Sequence, residues 1–332
     1  MSYEGRPNPD FSWSNARKEL FEDCKRAYYY QYYGSHNGWW DEVDDPSTWN
    51  IYNLKNTMPL KTAFAEGVQR AITVFLSKPG KIGSGKFKEI ITNRMHEICV
   101  NAQMKKWEKE PKQNPMVLEK LNYDNGFKNE HVKVMVANIK EQFNTVTMNF
   151  LKSPTVRDIL AGGAVVENFD NLNYSGSFLV KGKRDEVVVW GKPDTVLTAE
   201  GKHIAVIWKM GTTQRNVEAE KFHADVIAIY LTKQYGVKFS EVEVRIEDLQ
   251  AGETRTYAIE SKEQHAAVLK GIGASIGKMA KFIEGKDIKG NKALGIDSFP
   301  QKEDHRACRQ CRYFLLCKAE AEQAKTAEAK AA

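Results

Sequence analysis

The stretch Ile204-Ala205-Val206-Ile207-Trp208-Lys209-Met210-Gly211 decides how this chain folds. It reads as a strand closed by a turn residue, and in a strand alternate side chains share a face. Ile207 and Lys209 therefore point the same way. Just upstream, Gly191-Lys192-Pro193-Asp194-Thr195-Val196-Leu197 leads a second strand out of a Gly/Pro turn. Working outward, a period of two holds from about residue 164, predicting strands over 165–169, 176–180, 186–198 and 203–210. A helix is predicted over 217–235. Strands over 241–248 and 254–260 flank the turn Ala251-Gly252-Glu253, and a helix follows over 263–284. The order predicts an α/β fold built on a mixed central sheet.

Helices dominate before that core. Residues 59–161 carry apolar side chains at three- and four-residue spacing, with clear helices over 60–76, 86–107 and 129–151. Between the first two, Gly80-Lys81-Ile82-Gly83-Ser84-Gly85-Lys86-Phe87 nearly spells a phosphate-binding P-loop, but Phe87 replaces the hydroxyl that would hold Mg2+. The segment before it is helical, not a strand, so it reads as an interhelical loop. Nearer the start, Ser12-Trp13-Ser14 offers an N-cap for a helix over 15–33. That helix ends in Tyr28-Tyr29-Tyr30-Gln31-Tyr32-Tyr33, a row suited to packing around a buried helix or to stacking bases. Gly34 ends it, and Trp39-Trp40 fall in the loop beyond.

The chain has five cysteines. Cys308, Cys311 and Cys317 are spaced C-x2-C-x5-C, and Cys24 lies in the first helix. Four thiols are what a cubane iron–sulfur cluster or a structural zinc needs, with His305 as a spare zinc ligand. Such a centre would tie the first helix to the last and close a loop of nearly the whole chain. Cys99, in Glu97-Ile98-Cys99-Val100, reads as core.

Hydrophobic content of 42% is enough for a sizeable core, and the net charge of +6 mildly favours an anionic partner. The start, Met-Ser-Tyr-Glu-Gly-Arg-Pro, does not read as a signal peptide, and no apolar run approaches the ~20 residues of a membrane span. A soluble, cytoplasmic protein in a reducing compartment is expected. The expected organisation is an arm (1–10), an N-terminal helix with the first cysteine (11–58), a helical insert (59–162), an α/β core (163–284), a cysteine-bearing segment (285–318) and a tail (319–332).

Taken together, these residues resemble the RecB-like branch of the PD-(D/E)XK nuclease superfamily, which includes the AddB nuclease domain and the CRISPR-associated RecB-like exonucleases. Ser12, Ser14, Cys24, Arg26 and Tyr28 resemble that family's Ser-x-Ser…Cys-x-Arg-x-Tyr helix. Asp194 matches the Asp of Gly-x-x-Asp, and Lys209 the Lys of the (D/E)-x-K strand. The last three cysteines match its cluster-binding end. The resemblance spans roughly residues 11–318. It implies a PD-(D/E)XK sheet with a large helical insert and a helical cap closed by a 4Fe-4S cluster on Cys24, Cys308, Cys311 and Cys317. It also implies Mg2+ or Mn2+ on carboxylates, with Lys209 activating water.

The chain departs from that pattern at three separated places. Position 207, where the family carries an acid, is Ile, which cannot ligate a hard cation. Gln69 stands for a metal-facing His. Val226-Ile227-Ala228-Ile229-Tyr230 keeps the Tyr of a Gln-h-x-x-Tyr motif and loses its Gln. Asp194 remains as a weak Mg2+ or Mn2+ ligand, with Glu167, His223 and Tyr230 as helpers. Glu218 is turned partly away from the face shared by His223 and Val226. Two functions follow as expectations. One is a protein that holds DNA, independently of sequence, or a helicase, recombination or CRISPR-type partner, without efficient cleavage. The other is an active metal-dependent nuclease that uses Asp194, Lys209 and a relocated ligand.

Overall fold

The computed structural model describes the chain apart from residues 1–5, 41–44, 127–130, 170–176, 182–185, 211–215, 303–307, 309 and 332. His305 and the ends of expected elements that fall on these residues lie outside the described part. In chain order the elements are β1 (Ser12–Ser14), α1 (Asn15–Asp23), α2 (Lys25–Tyr29) and α3 (Pro46–Lys55). The helices α4 (Leu60–Ser77), α5 (Ser84–Gln103), α6 (Leu118–Asp124), α7 (His131–Lys152) and α8 (Pro154–Leu160) follow. Then come β2 (Ala164–Asn168), β3 (Ser177–Lys181), β4 (Glu186–Trp190), β5 (Thr195–Ala199) and β6 (Lys202–Lys209). The remaining elements are α9 (Val217–Tyr235), β7 (Val242–Asp248), β8 (Glu253–Tyr257), α10 (Lys262–Met279) and α11 (Phe314–Ala331). The fold is α/β with a mixed sheet. No helix among the described residues is long and apolar enough to cross a membrane.

The chain forms two compact units. One comprises Met1–Met58, Asn101–Leu118 and Ala274–Ala332; the other comprises Pro59–Val100 and Glu119–Gly273. The first unit therefore gathers both ends of the chain, together with residues 101–118 from the stretch read as helical insert.

The second unit is built on a five-stranded sheet in the order β2-β5-β6-β7-β8. All neighbouring pairs are antiparallel except β6 and β7, which run parallel with Ile207 opposite Ile246 and Lys209 opposite Asp248. The stretch expected as one strand over 186–198 is two. β4 pairs with β3, while β5 joins the five-stranded sheet. The chain must bend between them, and Pro193, which has no N–H to give a ladder, lies in the bend. A side chain at Gly191 would be crowded there: a Cβ would stand 3.1 Å from the Val226 carbonyl oxygen and 3.2 Å from Tyr230 Cβ.

Side chains sort by strand parity. Trp208 faces the helical layer, where it meets Phe150 edge-to-face at 5.1 Å, and its Nε1 donates to Thr195 Oγ1 at 3.0 Å. Phe87 stacks on Phe150 at 4.9 Å and is fully buried, so the residue that spoils the P-loop spelling is a core residue. Ile207, Lys209, Asp248, Arg255 and Tyr257 belong to the opposite parity, and Lys209, Arg255 and Tyr257 engage α9 through Glu220. That helix is buried from Ala224 to Leu231 without a break, as a helix covering a sheet face requires. Cys99 is exposed on α5, contrary to its reading as core; Ile98 beside it is the buried residue.

In the first unit the predicted N-cap forms: Ser14 Oγ accepts from the Arg17 amide at 3.1 Å. The expected helix over 15–33 is interrupted. Cys24 adopts extended backbone (φ −152°, ψ 113°), its amide still donates to Leu20 O, and its Sγ accepts from the Ala27 amide at 3.5 Å. Residues Tyr30–Gly34 then continue as a π-helical turn. The tyrosine row packs rather than lying open. Tyr28 and Tyr30 are buried, Tyr29 meets Phe299 at 5.0 Å, and Tyr30 meets Tyr313 at 5.2 Å. Arg26 donates from Nε to Phe299 O at 2.8 Å and pairs with Glu320, which also accepts from Tyr30 OH. These contacts hold the first helices against the last one.

Candidate functional site

The second unit's candidate centre lies where β5, β6, β7 and β8 present one face to α9. Thr195 pairs with Val206, so Asp194, one residue earlier, comes opposite Ile207 on the face that carries Lys209. The Asp194 amide donates to Val206 O at 3.0 Å, and its Oδ2 accepts from the Trp208 amide at 2.8 Å. The carboxylate thus closes the end of the β5–β6 ladder.

Lys209 does not stand over Asp194 as a lone cation. Its Nζ donates to Glu220 Oε2 at 3.0 Å. Glu220, on the first turns of α9, also accepts from Arg255 Nε at 2.8 Å, Arg255 Nη2 at 3.0 Å and Tyr257 OH at 2.7 Å. Arg255 reaches on to Asp248 Oδ2 at 3.3 Å and Glu253 Oε2 at 3.2 Å. Burial would raise the pKa of Glu220. The hydrogen bonds from Arg255, Tyr257 and Lys209 outweigh it and hold the carboxyl down at about 2. Arg255 is driven well above its ordinary value, chiefly by its bonds to Glu220. The face therefore holds carboxylates from a helix and a strand that are neutralised by a guanidinium and an ammonium. Such a network has no strongly basic oxygen left over for a hard divalent ion.

The other predicted residues are dispersed. Glu167 on β2 accepts from Thr198 Oγ1 and lies 3.6 Å from His203 Nδ1. The Glu167 backbone runs opposite Val196 and Leu197, but its carboxylate is engaged at Thr198 and His203, with Thr198 four residues along from Asp194, about 13 Å at strand spacing. His223 is half-buried, and burial lowers its pKa against the opposing pull of Glu220, which favours neutral imidazole. Tyr230 is buried against the Gly191 bend, where it packs. The Gln69 Nε2 is buried without a hydrogen-bond partner.

Glu220 and Arg255 were missed by the sequence reading. A signal for Glu220 existed: residues 220, 223 and 226 form one i, i+3 stripe, which passes through Glu220 and not Glu218. For Arg255 there was only alternation along β8, which does not say which face meets α9.

The thiols Cys24, Cys308, Cys311 and Cys317 all belong to the first unit, and each is half-buried and outside any disulfide. Burial raises the Cys311 thiol, and charge on Cys24 and Cys308 would raise it further. Burial pushes Cys317 up to about 12, with Glu320, Cys311 and Cys24 adding to the effect. The thiols thus lie within electrostatic range of one another. Cys308 Sγ is 3.7 Å from Lys302 O. Among the described residues no group of three or more His, Cys, Asp or Glu side chains stands in metal-ligating arrangement. The donor chemistry, four thiols brought from both ends of the chain, fits a thiolate-bound centre. The side-chain positions do not close around one.

Comparison with known proteins finds no matching family model and no matching curated protein.

Proposed function

We propose that this chain is a RecB-like, PD-(D/E)XK-type protein that holds nucleic acid without cutting it, and that Cys24, Cys308, Cys311 and Cys317 carry a 4Fe-4S cluster. One observation carries the non-cleaving reading. On the face where a nuclease needs paired acids and a free Lys, Ile207 supplies no ligand, and Lys209 and Arg255 are both bonded to Glu220. Metal-assisted hydrolysis requires an oriented water and charge stabilisation that a saturated ion-pair network does not offer. The net positive charge supports an anionic partner, and the shared electrostatic range of the thiols supports the cluster.

The test is incubation of the chain with labelled single- and double-stranded DNA and Mn2+, beside Asp194→Ala and Lys209→Ala. The expected result is binding without cleavage. Cleavage that disappears in Asp194→Ala would overturn this reading in favour of an active nuclease, with Arg255 displaced from Glu220.

A further inference from the structure

The first unit carries a second feature that the centre on the sheet does not use. Trp39, Trp40, Trp49 and Tyr52 line an open pocket of about 620 Å³, with Lys109 and Lys112 along its wall. That volume lies within the ~300–1,000 Å³ of small-molecule sites. Trp39 and Trp40 are 44% and 37% exposed, unusual for indoles that have an aromatic neighbour to pack on. Trp39 meets His36 at 5.5 Å and Tyr52 at 6.0 Å, both edge-on, so its ring is fixed from two sides. The loop that carries the tryptophans is seated tightly on α3. A Cβ at Gly38 would stand 2.4 Å from Tyr52 Cβ and 2.7 Å from Thr48 O, so only glycine allows this approach.

Near the pocket, outside its lining, stand two further cations. Lys55 follows Tyr52 by one turn of α3, and burial together with Arg17 and Lys112 lowers its pKa to about 8. Arg17 is 5% exposed. Its guanidinium lies 3.9 Å over the Tyr32 ring and donates to Ser12 O and Oγ at 2.7 Å, and its Nε has no hydrogen-bond partner. Arg312 donates to the Lys55 carbonyl. Among the described residues no carboxylate pairs with Arg17, Lys55 or Lys112. Glu110, the acid in the pocket wall, accepts from Asn114 Nδ2 at 3.0 Å. Crowded cations without a counter-ion are costly unless an anion completes them.

We propose that this pocket is a single-strand nucleic-acid site, in which unpaired bases stack on Trp39, Trp40 and Trp49 while phosphates lie against Lys109 and Lys112. Indoles pair with the faces of bases, and those faces are covered in a duplex, so the site selects single strands. The proposal rests on the nucleic-acid-binding reading above and gives it a place and a strandedness.

The test uses the full chain, fluorescein-labelled oligo-dT, the same length of duplex, and a proline-rich peptide as the rival occupant. Anisotropy and tryptophan quenching are read in low and high salt. Variants are the double change Trp39→Ala/Trp40→Ala, Lys112→Ala, and, as a control, the exposed Lys78→Ala in the other unit. The tryptophans are exposed and Lys112 lies at the surface, and circular dichroism checks that each variant folds. The expected result is oligo-dT binding that quenches tryptophan and falls by about tenfold or more in the double variant. Lys112→Ala should flatten the salt dependence by about one phosphate contact, and Lys78→Ala should bind as the parent does. Oligo-dT binding that is unchanged in the double variant overturns the site and leaves the nucleic-acid reading standing. Binding of neither DNA form overturns both. Duplex preferred over oligo-dT, or peptide alone quenching the tryptophans, overturns the assignment of the occupant.

Discussion

Glu220→Gln should destabilise the second unit by about 3 kcal/mol at neutral pH, and the effect should shrink in acid. The side chain is 7% exposed and accepts four hydrogen bonds from Lys209, Arg255 and Tyr257. Its carboxyl is held at about 2 in the folded chain against an ordinary 4.5. That gap corresponds to about 3 kcal/mol of folding stability. Because the folded value is depressed, the contribution is complete above about pH 5 and fades as pH falls toward 2, with roughly 1.5 kcal/mol left near pH 3. The amide keeps the shape but removes the charge. It leaves Lys209 and Arg255 close together, with Arg255 keeping only Asp248 and Glu253. Urea unfolding of parent and variant, followed by circular dichroism near pH 7 and again near pH 3, reads both quantities. A difference below about 1 kcal/mol at pH 7, or one equally large at pH 3, would refute the account of Glu220 as the keystone of a charged network.

Three further outcomes are expected. Ile207→Asp places a carboxylate opposite Asp194, and calorimetry should find Mn2+ bound more tightly than by the parent; equal affinity would show that 207 does not share a site with Asp194. Gly191→Ala drives a methyl group against the Val226 carbonyl and Tyr230, and should lower stability by about 1–3 kcal/mol in the same urea assay. Protein purified without oxygen should be brown with about four irons per chain, and Cys24→Ala or Cys311→Ala should bleach it; one tightly bound zinc in a colourless parent would replace the cluster by a zinc centre.

The sequence by itself determined the elements whose signal is local. Period-two alternation located β2 and β6 through β8, i, i+3/i+4 spacing located α4, α7 and α9, and Ser14 announced its helix through a cap that needs only its own neighbours. It also established that Ile207 and Lys209 share a face, because strand parity is a property of the backbone. It did not show that Cys24 breaks the first helix. A single extended residue inside a helical pattern is stabilised by contacts such as Arg26 with Phe299 and Glu320, which come from the other end of the chain. Nor did it split 186–198 into strands of two different sheets, since both halves have the same alternation and only pairing partners tell them apart. Partner choice was the part the tertiary structure decided. Lys209 has an acid in reach whichever way it is read, but only the packing of α9 over β6 and β8 gives it Glu220, along with Arg255 and Tyr257. Charge networks are set by distances through space, and these residues lie up to 48 positions apart in sequence, from 209 to 257.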